Sequence, residues 1–231
     1  MPRIARTVVP GCPHHITQRG NNRQDVFFVD EDRQVYLQLL LRHAAKSGLI
    51  LHAYCLMTNH VHLIATPRRP DSLAKALGRA HYFYTRYVNR LHGRAGHLWQ
   101  NRFFSCAMDE GHLWTALCYV ERNPVRGGMA KQAWEYPWSS AAVHCLVEPA
   151  PKFLDMQLWQ SLVRGRDWRE ALAQPLEDRQ IAAIRMSTHS GRPLGSDSFI
   201  SKLETTIGRR LRPLPLGRQK GWRKPHRKQT P

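Results

Sequence analysis

Acidic residues are scarce in this sequence. Asp and Glu number 17 against 35 Lys and Arg, which gives a formal net charge of +18 at pH 7. A positive excess of this size destabilises a compact fold by self-repulsion, so it indicates a polyanionic partner. Nucleic acid is the first candidate, and an anionic membrane surface is the second.

Long apolar runs are lacking as well. No stretch approaches the roughly 20 apolar residues that a membrane-spanning helix needs. Pro10, Gly11 and Pro13 stand where a signal peptide would carry its apolar segment. We therefore expect no membrane partner.

Paired cysteines are also missing. The five cysteines are widely spaced and include no Cys-x-x-Cys pair. This spacing indicates neither a disulfide framework nor a zinc ribbon, and a reduced cytoplasmic setting fits it best.

Hydrophobic periodicity predicts the order β-α-β-β-α-β-α over the first half of the chain. The predicted strands cover residues 14–19, 49–57, 60–66 and 103–108, and the predicted helices cover about 32–47, 72–91 and 110–122. This order is that of a ferredoxin-like (split βαβ) antiparallel sheet with an added helix. We expect an α+β fold with helices on one face of the sheet.

The character of the sequence changes near residue 150. We predict a first domain over residues 1–148, a helical C-terminal extension over 149–208 and a basic tail over 209–231. Within the extension, Ser196 resembles an N-cap and Gly208 a helix stop. The tail has nine Lys or Arg, four prolines and no Asp or Glu. Such a segment is expected to stay disordered until it meets a partner, to which it would add affinity.

His60 and His62 lie one residue apart in a predicted strand. Residues i and i+2 of a strand point to the same face, so the two imidazoles would project together while Val61 and Leu63 enter a core. Two imidazoles form most of a metal site if a third ligand arrives from elsewhere. The alternative is a strand whose polar face happens to carry two histidines.

Tyr119 and Asn123 are four residues apart at the end of the third predicted helix, which places them on one face. If that face meets the histidine strand, Asn123 supplies an oxygen ligand to a divalent metal and Tyr119 lies beside the ion. A metal on a scissile phosphate stabilises the developing charge, and tyrosine then attacks to leave a phosphotyrosine and a free 3′-hydroxyl. The alternative is that Tyr119 packs in the core while Asn123 caps the helix.

Five ordered blocks resemble a known family, the single-tyrosine HUH-endonuclease (IS200-like) transposases, and within it the REP-associated tyrosine transposases. The resemblance covers about residues 1–147 and rests on GCPHHITQRGNNR (11–23), LMTNHVHL (56–63), LWQNRF (98–103), YVERNPVR (119–126) and YPWSS (136–140). Gly127–Gly128 and Arg122 depart mildly from the family pattern and leave the catalytic positions intact.

The resemblance implies a bacterial, nucleoid-associated transposase that cuts and rejoins single-stranded or hairpin DNA, such as repetitive extragenic palindromes. It implies that His60 and His62 are metal ligands, that Tyr119 is the nucleophile, and that Asn123 completes the metal shell. Mg²⁺ or Mn²⁺ would be the ion. No obligate protein partner is evident, and monomer and homodimer both stay open.

Ten residues are candidates for DNA binding. A cationic stripe with an interleaved aromatic recurs along the second predicted helix, where phosphates could lie on the cations and a base on the ring. The first loop and the LWQNRF block could bracket a phosphate or contact a base edge. The ten are Lys75, Arg79, Tyr82, Arg86 and Arg90 in the stripe, with Arg19, Asn21, Asn22, Arg23 and Arg102. The alternative for the stripe is a solvated basic face.

Two other functions compete with the enzyme. One is a domesticated, non-catalytic protein that binds DNA by sequence or hairpin, which the basic extension favours. Against it, decay would have removed at least one of the four chemical positions. The other is an RNA-binding module, since a ferredoxin-like sheet with basic helices also suits RNA, although the strands lack the aromatic pattern typical of such modules.

Overall fold

Four strands form one antiparallel sheet in the computed structural model, which describes residues 6–213. The strands are β1 (His14–Arg19), β2 (Leu49–Met57), β3 (His60–Pro67) and β4 (Phe104–Ala107). Their order across the sheet is β2-β3-β1-β4, and each neighbouring pair is antiparallel. This order confirms the ferredoxin-like arrangement predicted from the sequence.

Two long helices cover one face of the sheet. They are α1 (Asp30–Ser47) and α2 (Ser72–Leu91). Their apolar sides pack on the alternate strand residues Ile16, Val61 and Leu63, all fully buried. The apolar face of α2 is buried at Leu73, Leu77, Ala80, Tyr84 and Val88, whereas Leu91, the last residue of the helix, is 56% exposed. Among residues 6–213, no helix is long and apolar enough to cross a membrane.

The opposite face of the sheet is covered by α3 (Glu110–Glu121). Asp109 caps this helix, since its side chain accepts a hydrogen bond from the backbone N–H of His112. Leu113 and Leu117 pack with Cys55 and Ile64, which point away from α1 and α2. The expectation of helices on one face therefore holds for α1 and α2, whereas the added helix lies on the other face.

In the described part of the chain, six further α-helices follow α3, and the last of them packs in a separate small core with Ala107 of β4. They are α4 (Asn123–Arg126), α5 (Ala141–His144), α6 (Gln157–Val163), α7 (Trp168–Ala173), α8 (Asp178–Ser190) and α9 (Asp197–Ile207). Trp159, Trp168 and Ile184 are buried in the same core as α3, and α8 packs against β4 and β1. The predicted Ser196 cap and Gly208 stop are both present. Most of the predicted basic tail, from residue 214 on, lies outside the described residues.

A buried carboxylate ties these segments together. Glu121 is fully buried at the end of α3 and accepts hydrogen bonds from Ser140 Oγ at 2.5 Å and Trp168 Nε1 at 2.8 Å. His144 Nδ1 lies 2.5 Å from the same carboxylate. Since a buried carboxylate is tolerated only with such partners, the network fixes α3 relative to α5 and α7.

The YPWSS block closes the outer edge of the sheet. β2 is an edge strand, and Leu56 N–H donates to the carbonyl of Trp138 at 2.8 Å while Ser140 N–H donates to the carbonyl of Tyr54 at 3.0 Å. The Tyr136 hydroxyl donates to the carbonyl of Leu56 at 2.7 Å. These bonds occupy backbone groups that an open edge would expose to other chains.

Candidate active site

An open cleft of about 830 Å³ lies on the α3 face of the sheet. Its walls come from β1, β3, the end of α3 and the C-terminal part of α8. The lining side chains combine histidines, arginines and one tyrosine: His15, Thr17, Arg19, Arg23, His60, His62, Gln100, Asn101, Phe104, Tyr119, Arg126, Arg185, Met186, Thr188, His189 and Ser190.

His60 and His62 project into this cleft from β3, and Val61 and Leu63 enter the core behind them, as the alternation predicts. The two ring centroids are 4.9 Å apart and the ring planes meet at 82°. His60 Nδ1 lies 2.6 Å from Asn59 Oδ1. An amide oxygen only accepts, so the proton of His60 resides on Nδ1 and its Nε2 keeps a free lone pair.

Both imidazoles are neutral at pH 7. Burial lowers the pKa of His60 to about 4, with further lowering from the positive charges of Arg19 and Arg126. Burial also holds the pKa of His62 well below its usual range, helped by His60, His15 and Arg126. Neutral imidazole is the form that binds a metal, so these two side chains fit a divalent cation.

A third histidine, His15, belongs to the site and was missed by reasoning from the sequence. Its ring stacks on His62 with centroids 5.1 Å apart and planes 11° apart, and its Nε2 lies 2.9 Å from His62 Nδ1. Its Nδ1 lies 2.7 Å from the hydroxyl of Thr188, on α8. Burial lowers the pKa of His15 to about 3. One feature of the sequence could have revealed it. Alternation along the predicted strand places His15 on the same face as Thr17 and Arg19.

Tyr119 lies against the two buried histidines. Its ring meets His62 edge-on at 5.4 Å and His15 edge-on at 5.6 Å, and the residue is only 4% exposed. Arg185 Nε donates to its hydroxyl at 3.4 Å, and the guanidinium carbon of Arg126 lies 4.8 Å from its ring centroid. The predicted nucleophile and the histidine pair therefore share one cleft, with two cations beside the tyrosine.

Asn123 is placed differently from these residues. It is 1% exposed and is absent from the described lining of the cleft. Its Nδ2 donates to the carbonyl of Tyr119 at 2.8 Å, which caps the end of α3, and its Oδ1 accepts a hydrogen bond from Arg126. Among residues 6–213, no three His, Cys, Asp or Glu side chains are arranged to hold a metal ion. A third protein ligand would have to be of another type, such as an amide oxygen.

The loop after β1 holds two candidate DNA-binding residues at the rim. Arg19 and Arg23 both line the cleft. Gly20 N–H donates to the carbonyl of Asn59 at 2.8 Å, and Asn59 Nδ2 donates to the carbonyl of Arg23 at 3.1 Å. Arg23 has a φ of +60°, which is uncommon for a residue with a side chain and is found at functional sites. Asn21 and Asn22 belong to the same turn and are not among the described residues that line the cleft.

The stripe on α2 is exposed on the far side of the sheet from Tyr119. Tyr82 and Arg86 line a hollow of about 590 Å³ together with Asn101 and Arg102. Asn101 also lines the cleft beside Tyr119, so this hollow and the cleft adjoin around the β4 edge. The remaining stripe residues lie elsewhere: Lys75 and Arg79 line a hollow shared with α1, and Arg90 lies farther along α2.

Known proteins resemble this chain in family and in fold. The family model described as "Transposase IS200 like" matches residues 8–123. A solved structure of a REP-associated tyrosine transposase bound to a REP hairpin is similar in fold, with a TM-score of 0.51, 20% identity, and coverage of 68% of this chain and 96% of that one. A second solved structure is that of a protein from Deinococcus radiodurans R1, provisionally described as a transposase. Its TM-score is 0.38 at 24% identity, over 52% of this chain and 97% of that one. No curated protein matches the chain significantly.

Proposed function

The chain belongs to the IS200-like transposase family, and we propose that it cleaves and rejoins single-stranded or hairpin DNA with Tyr119 as its nucleophile. The observation that carries this proposal is the packing of Tyr119 against His62 in one cleft with His60 and two arginines. A nucleophile, a pair of neutral imidazoles and cations for a phosphate are the groups that phosphoryl transfer to a tyrosine requires.

In the proposed reaction, Tyr119 Oη attacks a backbone phosphorus and the bond from phosphorus to the 3′ oxygen breaks. The products are a 5′-phosphotyrosine and a DNA end with a free 3′-hydroxyl, and the reverse attack rejoins the strand. Arg185 and Arg126 lie on the Tyr119 side of the cleft, where they would pair with the non-bridging phosphate oxygens. His60, His62 and Asn123 would hold Mg²⁺ or Mn²⁺, which supplies Lewis-acid polarisation of the phosphate when bound.

Arg126 competes with a metal ion for the amide oxygen of Asn123. Arg126 occupies Asn123 Oδ1, and the same guanidinium lines the cleft where a phosphate would enter. A DNA phosphate competes for that guanidinium because a charged acceptor binds it more strongly than a neutral amide does. We infer that DNA entry would draw Arg126 from Asn123 and free the amide oxygen.

Hairpin DNA is the partner that we propose. The solved structure of similar fold holds a REP hairpin. In this chain, the cleft and the hollow beside Tyr82 and Arg86 adjoin through Asn101, which would let one strand reach Tyr119 while the paired stem lies on the basic surface. Chromosomal hairpins in the bacterial nucleoid would be the corresponding target.

The test uses the full chain with a 3′-labelled library of single-stranded hairpins and Mn²⁺ or Mg²⁺, resolved on a denaturing gel, because the 3′ label stays on the fragment that becomes joined to the protein. We expect a metal-dependent cut that leaves the protein on the 5′ end, and complete loss of this adduct in Tyr119→Phe with hairpin binding retained. Tyr87→Phe on the α2 side of the sheet is the matched control. Cleavage by Tyr119→Phe at the wild-type rate would overturn the assignment.

A second candidate function is hairpin binding without turnover. The observation that favours it is the position of Asn123, whose oxygen is held by Arg126 away from the cleft lining. Under this alternative the protein binds hairpins tightly and forms no covalent adduct in any divalent metal, so the same gel decides between the two functions.

A further inference from the structure

A chain of buried hydrogen bonds runs from the site into the C-terminal extension. His62 Nδ1 lies 2.9 Å from His15 Nε2, His15 Nδ1 lies 2.7 Å from Thr188 Oγ1, and Thr188 Oγ1 lies 3.2 Å from Cys106 Sγ. All four residues are at most 5% exposed. The chain thus links β3, β1 and β4 to α8 along the wall of the cleft.

Two proton arrangements satisfy these contacts. In the first, His62 Nδ1–H donates to His15 Nε2, and His15 Nδ1–H donates to the Thr188 hydroxyl oxygen. In the second, every donor is reversed: Thr188 donates to His15 Nδ1, and His15 Nε2–H donates to His62 Nδ1. Each imidazole carries one proton, so the first leaves a lone pair on His62 Nε2 and the second puts a hydrogen there.

The charges around the cleft favour the first arrangement. Arg19 and Arg126 lie close enough to His62 to act on it electrostatically. A lone pair on Nε2 is attracted by these cations, whereas an N–H directed into the cleft would be repelled. His60, with its proton fixed on Nδ1 by Asn59, presents a lone pair in the same way.

We propose that Thr188 is a positioning residue that, by accepting a hydrogen bond from His15, keeps His62 in the orientation and tautomer that present Nε2 to a metal. The proposal rests on the metal site proposed above. A hydrogen-bond partner on the second nitrogen of a ligating histidine commonly fixes its tautomer, and here the partner is itself a histidine that Thr188 orients.

The position of Thr188 gives the extension a chemical role. The family match ends at residue 123, and Thr188 is 173 residues from His15 along the chain. It comes close because α8 packs on β4 and β1, with Thr188 only 2% exposed. The extension therefore completes the support of the histidine pair in addition to any contribution to DNA affinity.

Thr188→Val keeps the shape of the side chain and removes the hydroxyl. A proton on His15 Nδ1 would then be a buried donor without an acceptor. Leaving that nitrogen unprotonated and unpaired costs less free energy. His15 would move its proton to Nε2, and His62 would carry its own proton on Nε2 and lose its lone pair. Mn²⁺ affinity is expected to fall about 10- to 100-fold, and Thr188→Ser, which retains the hydroxyl, is expected to restore it.

The experiment uses full-length protein with ¹⁵N-labelled histidine. Long-range ¹H–¹⁵N spectra without metal report the tautomer of His62, and titration with Mn²⁺ followed by electron paramagnetic resonance reports affinity. We expect Nδ1–H on His62 in wild type and in Thr188→Ser, and Nε2–H in Thr188→Val. Thr206→Val is the matched control because it removes an exposed helical hydroxyl bonded to the carbonyl of Lys202 at 2.9 Å.

Two results would overturn the proposal. The first is a proton on Nε2 of His62 in the wild-type protein. The second is a folded Thr188→Val variant in which the His62 tautomer and the Mn²⁺ affinity are both unchanged. His60→Ala separates this failure from failure of the metal site. If His60→Ala binds Mn²⁺ as wild type does, the metal assignment itself is wrong. If His60→Ala loses Mn²⁺ and Thr188→Val keeps it, only the role of Thr188 is wrong.

Discussion

Arg185 Nε donates a hydrogen bond to the Tyr119 hydroxyl at 3.4 Å, joining α8 of the extension to the side chain at the end of α3. Arg185 is exposed, whereas Tyr119 is buried except where it lines the cleft. The contact places a cation where negative charge would develop on the tyrosine and phosphate oxygens.

Arg185→Met is expected to slow strand cleavage about 10-fold or more, with hairpin affinity changed much less, because the lost interaction acts mainly on the developing charge. Single-turnover cleavage of a labelled hairpin gives the rate, and fluorescence anisotropy gives the affinity. The matched control is Arg179→Met on the same helix, where the arginine pairs with Glu177. Equal rates for the Arg185 and Arg179 variants would contradict the role of Arg185.

Arg126→Gln tests whether Arg126 withholds Asn123 from a metal. Removing the guanidinium takes a positive charge from beside His60 and His62 and frees Asn123 Oδ1. We expect Mn²⁺ affinity without DNA to rise several-fold while cleavage falls, since a phosphate partner is lost. Calorimetric Mn²⁺ titration checks the first effect, with Arg42→Gln on α1 as the control for net charge. A lower Mn²⁺ affinity would show that Arg126 does not compete for the amide.

Arg86→Gln tests the hollow that adjoins the cleft. If the stem of a hairpin lies there, one phosphate contact is lost and the slope of log affinity against log salt becomes shallower by about one. Anisotropy titrations between low and moderate salt measure the slope. Arg79→Gln removes an equal charge from the same helix, in the hollow shared with α1. Equal changes in both variants would mean that the whole stripe acts as a diffuse positive surface.

Stability should fall in mild acid because buried histidines are neutral in the folded state. His14 Nδ1 lies 2.7 Å from the carbonyl of Cys12, and its Nε2 accepts a hydrogen bond from Val9 N–H. A second proton on the ring would have to bind Nε2 and would break that hydrogen bond. Burial lowers the His14 pKa from 6.5 to about 4. Between these values the unfolded chain binds more protons, so the free energy of unfolding decreases as pH falls, by about 1.4 kcal/mol per pH unit for each such histidine.

Denaturant unfolding with a chelator at pH 7.5, 6 and 5 measures this dependence. His14→Gln carries no titrating group, so its free energy of unfolding should vary less steeply with pH than that of wild type, whatever its absolute stability. His97→Gln, which replaces an exposed histidine, is the matched control. A slope for His14→Gln as steep as wild type would show that His14 does not contribute.

The parts of the site that follow from local periodicity could be predicted from the sequence. Alternation in β3 predicted that His60 and His62 share a face, and the helical repeat placed Tyr119 and Asn123 one turn apart. The structure brings His60, His62 and Tyr119 into one cleft. The role of His15 could not be predicted in the same way, because it depends on the register that pairs β1 with β3.

Contacts between segments that are far apart in the sequence could not be predicted from hydrophobic periodicity. Nothing near Thr188 or Arg185 in the sequence marks them as partners of His15 and Tyr119, since the packing of α8 on β4 alone brings them there. The hydrogen bonds of Asn123 follow from side-chain geometry at the end of α3, where its amide donates to the carbonyl of Tyr119 and accepts from Arg126. A pattern of residue types does not reveal such contacts.

The order in which the ribosome makes these segments has a consequence for the cell. His15 and the histidine strand emerge early in synthesis, Tyr119 follows, and α8 emerges only after residue 190 has left the exit tunnel. A nascent chain therefore carries the basic surface of α2 long before its cleft is closed by Arg185 and Thr188. Translation that stalls before residue 178 would yield a fragment that lacks one wall of the cleft and the Ile184 side chain of its core.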